Sequence, residues 1–229
     1  GVKMFLEAPR EQLQEVYVSE SFLEKCSCRE HLGEVGYEVV SDSVFSKISD
    51  TCTPQGVLCV LKQFHYNIEE MLRDKAPLFL LLENIQDPGN LGTMLRTGEG
   101  AGVSGIIMSR DTVDLYNPKV IRSTMGSIYR VPFYYADDFA AAVHQVQRAG
   151  VSVYAAHLRG KNSYACQDYT KGTAFLIGNE GNGLREETAE LADCYIRIPM
   201  EGKVESLNAA VASSILMYEA HRQRATIEK

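Results

Sequence analysis

The chain has 229 residues, of which 45% are hydrophobic and 23% are charged, and its formal net charge is −7 at pH 7. This apolar fraction is enough for a buried core, which excludes disordered and collagen-like chains. No segment reaches the roughly 18 consecutive apolar residues that cross a bilayer. The acidic balance argues against indiscriminate binding of polyanions, so any nucleic-acid site must rest on particular residues.

Six cysteines are spread along the chain, at positions 26, 28, 52, 59, 166 and 194. They are too few and too scattered for the disulfide framework of a secreted protein. We find no signal peptide, so we expect reduced thiols in a cytoplasmic protein. Cys26, Cys28 and His31 have part of the spacing of a zinc site, but no second ligand pair accompanies them, and we predict no metal.

The composition changes near residues 73–77. The preceding part predicts a small α/β domain over residues 1–72 and a linker at 73–76, and it is the more acidic part, with 8 basic and 13 acidic residues up to position 76. Its predicted elements are an amphipathic stretch at 3–15, a strand at 15–18, a helix at 21–26, a turn at 49–56, a strand at 57–61 and a connecting helix at 67–73.

Residues 77–229 predict a second, larger domain in which apolar strands alternate with helices. The run at 78–82 is continuously apolar, as expected of a parallel strand covered on both faces. Predicted strands lie at 78–82, 105–108, 151–156, 174–177 and 195–198, and predicted helices at 91–98, 137–148, 184–191 and 206–224. This alternation predicts an α/β fold with a mainly parallel sheet, whose ligands bind beyond the carboxyl ends of the strands.

The first candidate site follows the first of these strands, at residues 83–97. Pro88 and Gly89 indicate a sharp strand-to-helix turn, and we predict Asn90 at the helix N-cap. Arg96 then lies nearly two turns into the helix, an unusual depth for a merely solvated cation. The alternative for this loop is a capped turn with a surface arginine.

The second candidate site is glycine-rich and spans residues 178–183. Three glycines there let the backbone approach a ligand closely. Their order, G-x-x-G-x-G, is not the dinucleotide fingerprint, and Glu180 among them would repel a pyrophosphate, which argues against a nucleotide-dependent oxidoreductase. A hydroxyl-rich or cationic ligand fits better. The alternative for Glu180 is a loop carboxylate bonded to backbone N–H groups.

A third polar loop, residues 198–208, joins the last strand to the last helix. Ser206 or Asn208 can cap that helix. One stripe of the helix is apolar, with Leu207, Val211, Ile215 and Tyr218. Small residues at 209, 210 and 212–214 give the remaining surface of the helix short side chains, which predicts a tightly packed or interface helix.

Together, the segments DPGNLGTMLRT (87–97), IGNEGNGL (177–184) and IPMEGKVESLNAAVA (198–212) resemble the SpoU/TrmH branch of the SPOUT RNA 2′-O-ribose methyltransferases. Their order and spacing fit over residues 77–224. Residues 1–72 resemble the small ribosomal-protein-like α/β domain, an RNA substrate-binding domain, that often precedes the catalytic domain, and SDTCTPQG (49–56) is the best local match. The basic leading segment of relatives is absent, so we expect this domain to be shortened at its start.

The resemblance implies a C-terminal trefoil knot, a homodimer, and S-adenosyl-L-methionine bound in the knot near the subunit interface. It implies methyl transfer to a ribose 2′-hydroxyl of RNA, with ribosomal RNA favoured over transfer RNA; a non-catalytic RNA-binding relative is the other alternative. It implies catalytic roles for Asn90, Arg96, Glu180, Ser206 and Asn208, and cofactor contacts from Gly178, Asn179, Gly181, Ile198, Met200 and Leu207. One departure is Ala209-Ala210, where the family often has Val-Ser.

The chemistry of this reaction restricts what the side chains have to do. Methyl transfer from a sulfonium releases a neutral thioether, so the enzyme must position the reactants and help the hydroxyl lose its proton. Arginine is a poor base because its pKa exceeds about 12. Our hypothesis is that Arg96 holds the neighbouring phosphate and lowers the pKa of the hydroxyl, while Glu180 orients Arg96 or the ribose. The candidate RNA-binding face consists of Arg96, Lys119, Arg122, Arg130 and Lys203.

Overall fold

The computed structural model describes residues 1–25, 28–204 and 206–227. The chain divides into two compact units, Gly1–His65 and Tyr66–Lys229. Among the helices in the described ranges, none is both long and apolar enough to span a membrane.

The described residues of the first unit form a three-stranded sheet with short helices. Its elements are α1 (Val2–Glu7), a 3₁₀ turn (Arg10–Gln12), β1 (Leu13–Ser19), α2 (Glu20–Lys25), α3 (Arg29–Val35), β2 (Glu38–Val40), α4 (Asp42–Ile48) and β3 (Val57–Leu61). Strand β1 is central, parallel to β2 and antiparallel to β3. The predicted amphipathic stretch at 3–15 is interrupted because Ala8 precedes Pro9 and takes an extended conformation. The last residue of the predicted helix at 21–26, Cys26, lies outside the described residues.

The boundary between the units lies at His65/Tyr66, before the position at 73–76 where the composition changes. The reason is helix α5 (Ile68–Met71), which precedes the composition change but packs in the second unit. Ile68 and Met71 are buried in one cluster with Phe79. The sequence predicts a connecting helix here, yet its apolar side chains are part of the core of the second unit.

The second unit is built around a parallel sheet that has seven strands in the described ranges. Its elements are β4 (Leu78–Leu82), α6 (Pro88–Ala101), β5 (Gly105–Ser109), α7 (Pro118–Thr124), β6 (Phe133–Ala136), α8 (Phe139–Arg148), β7 (Ser152–Ala156), β8 (Asn162–Ser163), β9 (Thr173–Ile177), α9 (Glu186–Ala189), β10 (Cys194–Arg197) and α10 (Ala209–Ile227). The strand order is β6-β5-β4-β9-β7-β10-β8.

Strands β4, β5 and β9 are buried along their whole length. The predicted α/β fold with a mainly parallel sheet is therefore confirmed. Two strands of this sheet escaped prediction: β6 follows Pro132 without a long apolar run, and β8 is only 2 residues long. A strand that short has no alternation of polar and apolar residues to detect.

The last helix buries its small residues and leaves much of its apolar stripe in contact with solvent. It begins at Ala209, three residues later than predicted. Ala209, Ala210 and Ser213 are buried, whereas the exposed fractions of Val211 and Tyr218 are 48% and 49%. Small side chains allow α10 to approach α6 closely, and Ser214 Oγ lies 3.4 Å from Thr97 Oγ1.

A cluster of backbone carbonyls anchors the end of this helix through Arg224. The guanidinium of Arg224 donates hydrogen bonds to the carbonyls of Tyr169, Ala76, Pro77 and Lys171. Burial lowers the pKa of Arg224, because desolvation disfavours the charged guanidinium. These bonds join α10 to the segments before β4 and β9.

We predict that Arg224→Met lowers the free energy of unfolding by about 2 kcal/mol, because several carbonyls lose a charged donor. Urea denaturation followed by circular dichroism measures this loss. Arg222→Met is the matched control: Arg222 is an exposed residue of the same helix whose guanidinium pairs with Glu219. Equal effects of the two substitutions would contradict the anchoring role of Arg224.

Candidate functional site

Three loops meet at the carboxyl edge of the sheet. Strands β4 and β9 are parallel neighbours with Leu82 opposite Ile177, so the loops that follow them start side by side. The loop before α10 joins them and forms an open depression of about 650 Å³. The depression is lined by Gln86, Asp87, Pro88, Asn90, Asn179, Glu180, Gly181 and Asn208. Side chains from all three sequence motifs therefore share one site.

The first loop enters helix α6 through Asp87, and the prediction that Asn90 is the N-cap was wrong. Asp87 Oδ1 accepts a hydrogen bond from Asn90 N at 2.7 Å, and Pro88 occupies the first helical position. Aspartate followed by proline is a strong helix-start signal, so the cap forms three residues earlier. As a consequence the half-buried side chain of Asn90 is available to the site.

Glu180 is held by the start of this first loop. Its Oε1 accepts hydrogen bonds from Asn90 Nδ2 and Asp87 N, both at 3.0 Å, and its Oε2 accepts one from Gln86 N at 3.1 Å. Burial alone would raise the pKa of Glu180, but these bonds together with its own backbone N–H lower that pKa below its usual value. The alternative interpretation of Glu180, a carboxylate bonded to backbone N–H groups, describes its surroundings well.

Asn208 connects the third loop to the other two. Its Nδ2 donates to Asn90 Oδ1 at 2.9 Å, while its Oδ1 accepts from the backbone of Ala210 and Val211 at the start of α10. The sequence offered Ser206 or Asn208 as the cap of the last helix, and in the structure Asn208 is the cap. Ser206 is exposed and makes no hydrogen bond to any residue that the structure describes.

Arg96 does not join this cluster within one chain. It follows Asn90 by six positions, so the two side chains point in directions about 120° apart around the axis of α6. The side chain is exposed and has no hydrogen-bond or ion-pair partner among the described residues. The hypothesis that Glu180 orients Arg96 therefore finds no contact in the single chain, and the Arg96 guanidinium remains available to an external anion.

The residues expected to contact a cofactor line the second and third loops. Gly178 is buried, and a Cβ there would lie 2.2 Å from the carbonyl carbon of Gly183, so no larger residue fits. Asn179 folds the loop: its Oδ1 accepts from the backbone of Gly181 and Asn182, and its Nδ2 donates to Asn84 O. Ile198 and Leu207 are half-buried, and Gly181 and Met200 are exposed.

Sequence reasoning missed a polar network directly behind these loops. Glu83 directly follows β4 and is 1% exposed, and Asn84 has a positive φ of 54°. Gln86 Nε2 donates to Asn84 Oδ1 and to the carbonyl of Asp111, which joins the loop after β4 to the loop after β5. One signal could have found it: a glutamate immediately after a continuously apolar strand.

Two further expectations concern metal and surface charge. In the described ranges, no group of three or more His, Cys, Asp or Glu side chains is placed to hold a metal ion, and Cys26 of the spaced trio lies outside those ranges. On the candidate RNA-binding face, Arg130 is paired with Glu99. Lys119 and Lys203 are exposed.

Comparison with known proteins identifies the family. The sequence profile of the SpoU rRNA Methylase family matches residues 77–218. The chain belongs to this family. Residues 77–218 contain all three loops, so the motifs of the SpoU family and the cluster of polar side chains in the structure coincide.

The similarity to relatives and to solved structures covers most of the chain. A Bacillus subtilis 23S rRNA (guanosine(2553)-2′-O)-methyltransferase is 35% identical over 180 residues, which cover 79% of this chain and 70% of the relative. A 23S rRNA (guanosine-2′-O-)-methyltransferase of Bordetella pertussis is 32% identical over 226 residues, covering 93% and 91%. The AdoMet-bound rRNA methyltransferase of Sinorhizobium meliloti has a TM-score of 0.82 and 31% identity, and the match covers 97% of this chain and 85% of that one. The resemblance to the SpoU/TrmH family is confirmed.

The surroundings of Glu180 predict an acid-dependent contribution to stability. Its pKa in the folded chain is below the ordinary value of 4.5, so the carboxylate stabilises the fold above about that pH and this contribution disappears as the pH falls through the lowered pKa. We therefore expect Glu180→Gln to lower the melting temperature most near neutral pH, with a difference from wild type that shrinks in acid.

Thermal unfolding at several pH values between about 3 and 7 measures this difference. Glu201→Gln, at an exposed carboxylate in the third loop, controls for the loss of one surface charge. A destabilisation by Glu180→Gln that stays constant over the whole pH range would contradict the interpretation.

Proposed function

We propose that this chain transfers a methyl group from S-adenosyl-L-methionine to a ribose 2′-hydroxyl of RNA, with ribosomal RNA as the favoured substrate. The observation that carries the proposal is the convergence of Asn90, Glu180 and Asn208, one from each family motif, on a single depression. Two relatives, 35% and 32% identical to this chain, are named as 23S rRNA 2′-O-methyltransferases, and their names support the reaction and the substrate class.

The residues present fit the proposed cofactor. The depression is lined by carboxylates and amides, without a lysine or arginine among the described lining residues. Burial does not neutralise Glu180, because its hydrogen bonds lower its pKa below the ordinary value. Such a lining suits a cationic sulfonium and ribose hydroxyls and disfavours a pyrophosphate. We assign cofactor contacts to Gly178, Asn179, Gly181, Ile198, Met200 and Leu207.

The bound cofactor supplies a methyl group on a positively charged sulfur that leaves as a neutral thioether. The work of the chain is to orient the hydroxyl that attacks. Glu180 accepts from Asn90, and Asn208 donates to Asn90, so both ends of the Asn90 amide have a defined direction. The remaining N–H and lone pair of that amide can then position the ribose.

Arg96 acts on the substrate from outside this cluster. Its exposed guanidinium is suited to grip the phosphate next to the target ribose with two parallel hydrogen bonds. The positive charge lowers the pKa of the nearby 2′-hydroxyl, which makes the oxygen a better nucleophile at neutral pH. We assign Ser206, which is exposed beside Asn208, to contact with the substrate as well.

The proposal includes a trefoil knot. Strand β10 lies between β7 and β8, and the connection between those two strands consists of residues 157–161 alone. This connection lies close to β10: His157 N donates to Ile196 O, and a Cβ on Gly160 would lie 2.7 Å from the Ile196 backbone. A connection this short, packed directly against β10, supports the threading of the segment that continues from β10 to α10.

The proposal also includes a homodimer and a substrate-binding role for the first domain. Leu158, Val204, Val211 and Tyr218 are exposed by 67%, 62%, 48% and 49%, and this exposed apolar surface supports dimerisation, because a second copy would remove it from water. The B. pertussis match covers 93% of this chain, which supports a shared two-domain organisation. We propose that the first unit, Gly1–His65, binds RNA and that the second unit, Tyr66–Lys229, holds the methyltransferase. The location we propose is the cytoplasm.

Turnover with separate RNA classes tests the function. The protein is incubated with S-adenosylmethionine labelled in its methyl group and, in parallel, with unmodified ribosomal RNA and unmodified transfer RNA. We expect label that resists alkali in ribosomal RNA, because a methylated 2′-oxygen cannot assist cleavage of the chain. Label in transfer RNA alone would move the substrate to that class. Absence of both label and cofactor binding would favour the non-catalytic alternative.

We predict that Arg96→Ala reduces methyl transfer at least about 100-fold, because the phosphate loses its bidentate partner and the hydroxyl its nearby positive charge. Isothermal titration calorimetry should give a cofactor affinity close to that of wild type. Arg96→Lys keeps the charge without the planar fork and should retain an intermediate rate.

Arg148→Ala is the matched control, because Arg148 is an exposed arginine in the last turn of α8, outside the three motifs. It should turn over like wild type. Turnover of Arg96→Ala at the wild-type rate would remove Arg96 from the mechanism.

A further inference from the structure

A buried glutamate behind the site has no role in the reaction described so far. Glu83 directly follows β4 and is 1% exposed. Its Oε2 accepts a hydrogen bond from Arg185 N at 2.8 Å, and its Oε1 accepts from Thr188 Oγ1. The guanidinium of Arg185 lies 3.5 Å from Oε1 and supplies the countercharge. Every donor to this carboxylate among the described residues comes from the segment that follows the glycine-rich loop.

The same arginine extends the network to the loop after β5. The guanidinium of Arg185 forms an ion pair with Asp111, whose Oδ1 accepts from Ser109 Oγ. Ser109 Oγ in turn accepts from Asn84 N at 2.8 Å. Burial alone would raise the pKa of Asp111, but the bonds from Ser109 and Arg185 lower it. Glu83 thus lies in a closed circuit of polar contacts among the loops after β4, β5 and β9.

A carboxylate removed from water in this way requires its donors. Burying a carboxylate without partners is unfavourable, so the folded chain favours the arrangement in which Arg185 and Thr188 are in place. Arg185 is the last residue of the loop 178–185, and Thr188 lies in α9, which follows directly; the near end of the loop is the terminus of β9. With both ends held, Glu180 in the middle of the loop has little freedom of position.

We propose that Glu83 is a positioning residue for methyl transfer: it anchors the loop 178–185 so that Glu180 reaches Asn90 and the start of α6. The inference rests on the proposed function, since it names a residue that acts on the same site through others. Glu83 is buried beneath the loops and itself touches neither reactant. Its effect passes through Glu180, which it holds within hydrogen-bond distance of Gln86 N and Asp87 N.

The test uses the full chain with Glu83→Gln, which keeps the volume but replaces one acceptor oxygen with a donor amide. Thr188→Val is a second variant that removes one donor to the same carboxylate and keeps the size of the side chain. We expect each to lower kcat about 10- to 100-fold while KM for RNA changes little, because a catalytic group displaced by about 1 Å loses rate on this scale.

Hydrogen exchange gives a readout that does not depend on activity. The N–H groups of Gln86 and Asp87 donate to the Glu180 carboxylate, so they should exchange at least about tenfold faster in both variants, as measured by NMR. Tyr169→Phe is the matched control: it removes a fully buried hydroxyl that donates to the carbonyl of Tyr164 at 2.7 Å. It should cost stability without changing kcat or the exchange of those two N–H groups.

The outcomes separate the two proposals. Unchanged exchange of Gln86 and Asp87 in Glu83→Gln and Thr188→Val, or wild-type kcat in both, overturns the positioning role. Faster exchange and lower kcat in Tyr169→Phe as well would reduce the role of Glu83 to general stability and would also overturn it. Absence of methyl transfer by the wild-type chain contradicts the proposed function, whereas the exchange measurement still tests whether Glu83 positions the loop.

Discussion

Strands β4 and β9 lie side by side, parallel and completely buried, in the middle of the larger sheet. Their pairing brings together loops that are far apart in the chain: the side chain of Asn179 donates to the carbonyl of Asn84 across 95 positions. Because parallel strands end at the same edge, every residue that follows either strand has the other loop as its neighbour. The remaining features of the site depend on this adjacency.

The polar side chains at that edge form a chain of hydrogen bonds, and the chemistry of each group determines which one donates and which one accepts. An ionised carboxylate can only accept hydrogen bonds, so Glu180 requires the amide nitrogen of Asn90 to face it. The carbonyl oxygen of Asn90 must then face Asn208, which offers its own nitrogen and turns its oxygen toward the first N–H groups of α10. Each bond contributes about 1 kcal/mol, but together they leave the Asn90 amide one orientation, which is what a positioned nucleophile needs.

The same groups start helices and form the site. Glu180 accepts N–H groups just before α6, and Asn208 caps α10, so each has a structural task that is present without any ligand. Loss of either side chain therefore changes both stability and the proposed chemistry. Behind them, Glu83 and Arg185 connect the loop ends, and the buried charge favours a single arrangement. Arg96 differs, because its side chain is exposed and has no hydrogen-bond or ion-pair partner among the described residues, and the role we propose for it is directed at the substrate alone.

The sequence by itself determined the α/β class, most of the strands of the large sheet and the family, because burial on both faces of a parallel strand demands a continuous apolar run such as 78–82. It also supplied the three loops, since their polar residues are contiguous in the chain. Only the tertiary structure decided that helix 68–71 belongs to the larger unit, that Asp87 rather than Asn90 caps α6, and that Glu83 anchors the second loop. The physical reason is that helix 68–71 and Glu83 depend on partners that are distant in sequence, which a local pattern does not record. The choice between Asp87 and Asn90 depends on competition between two nearby caps, of which Asp87 has the advantage of the proline that follows it.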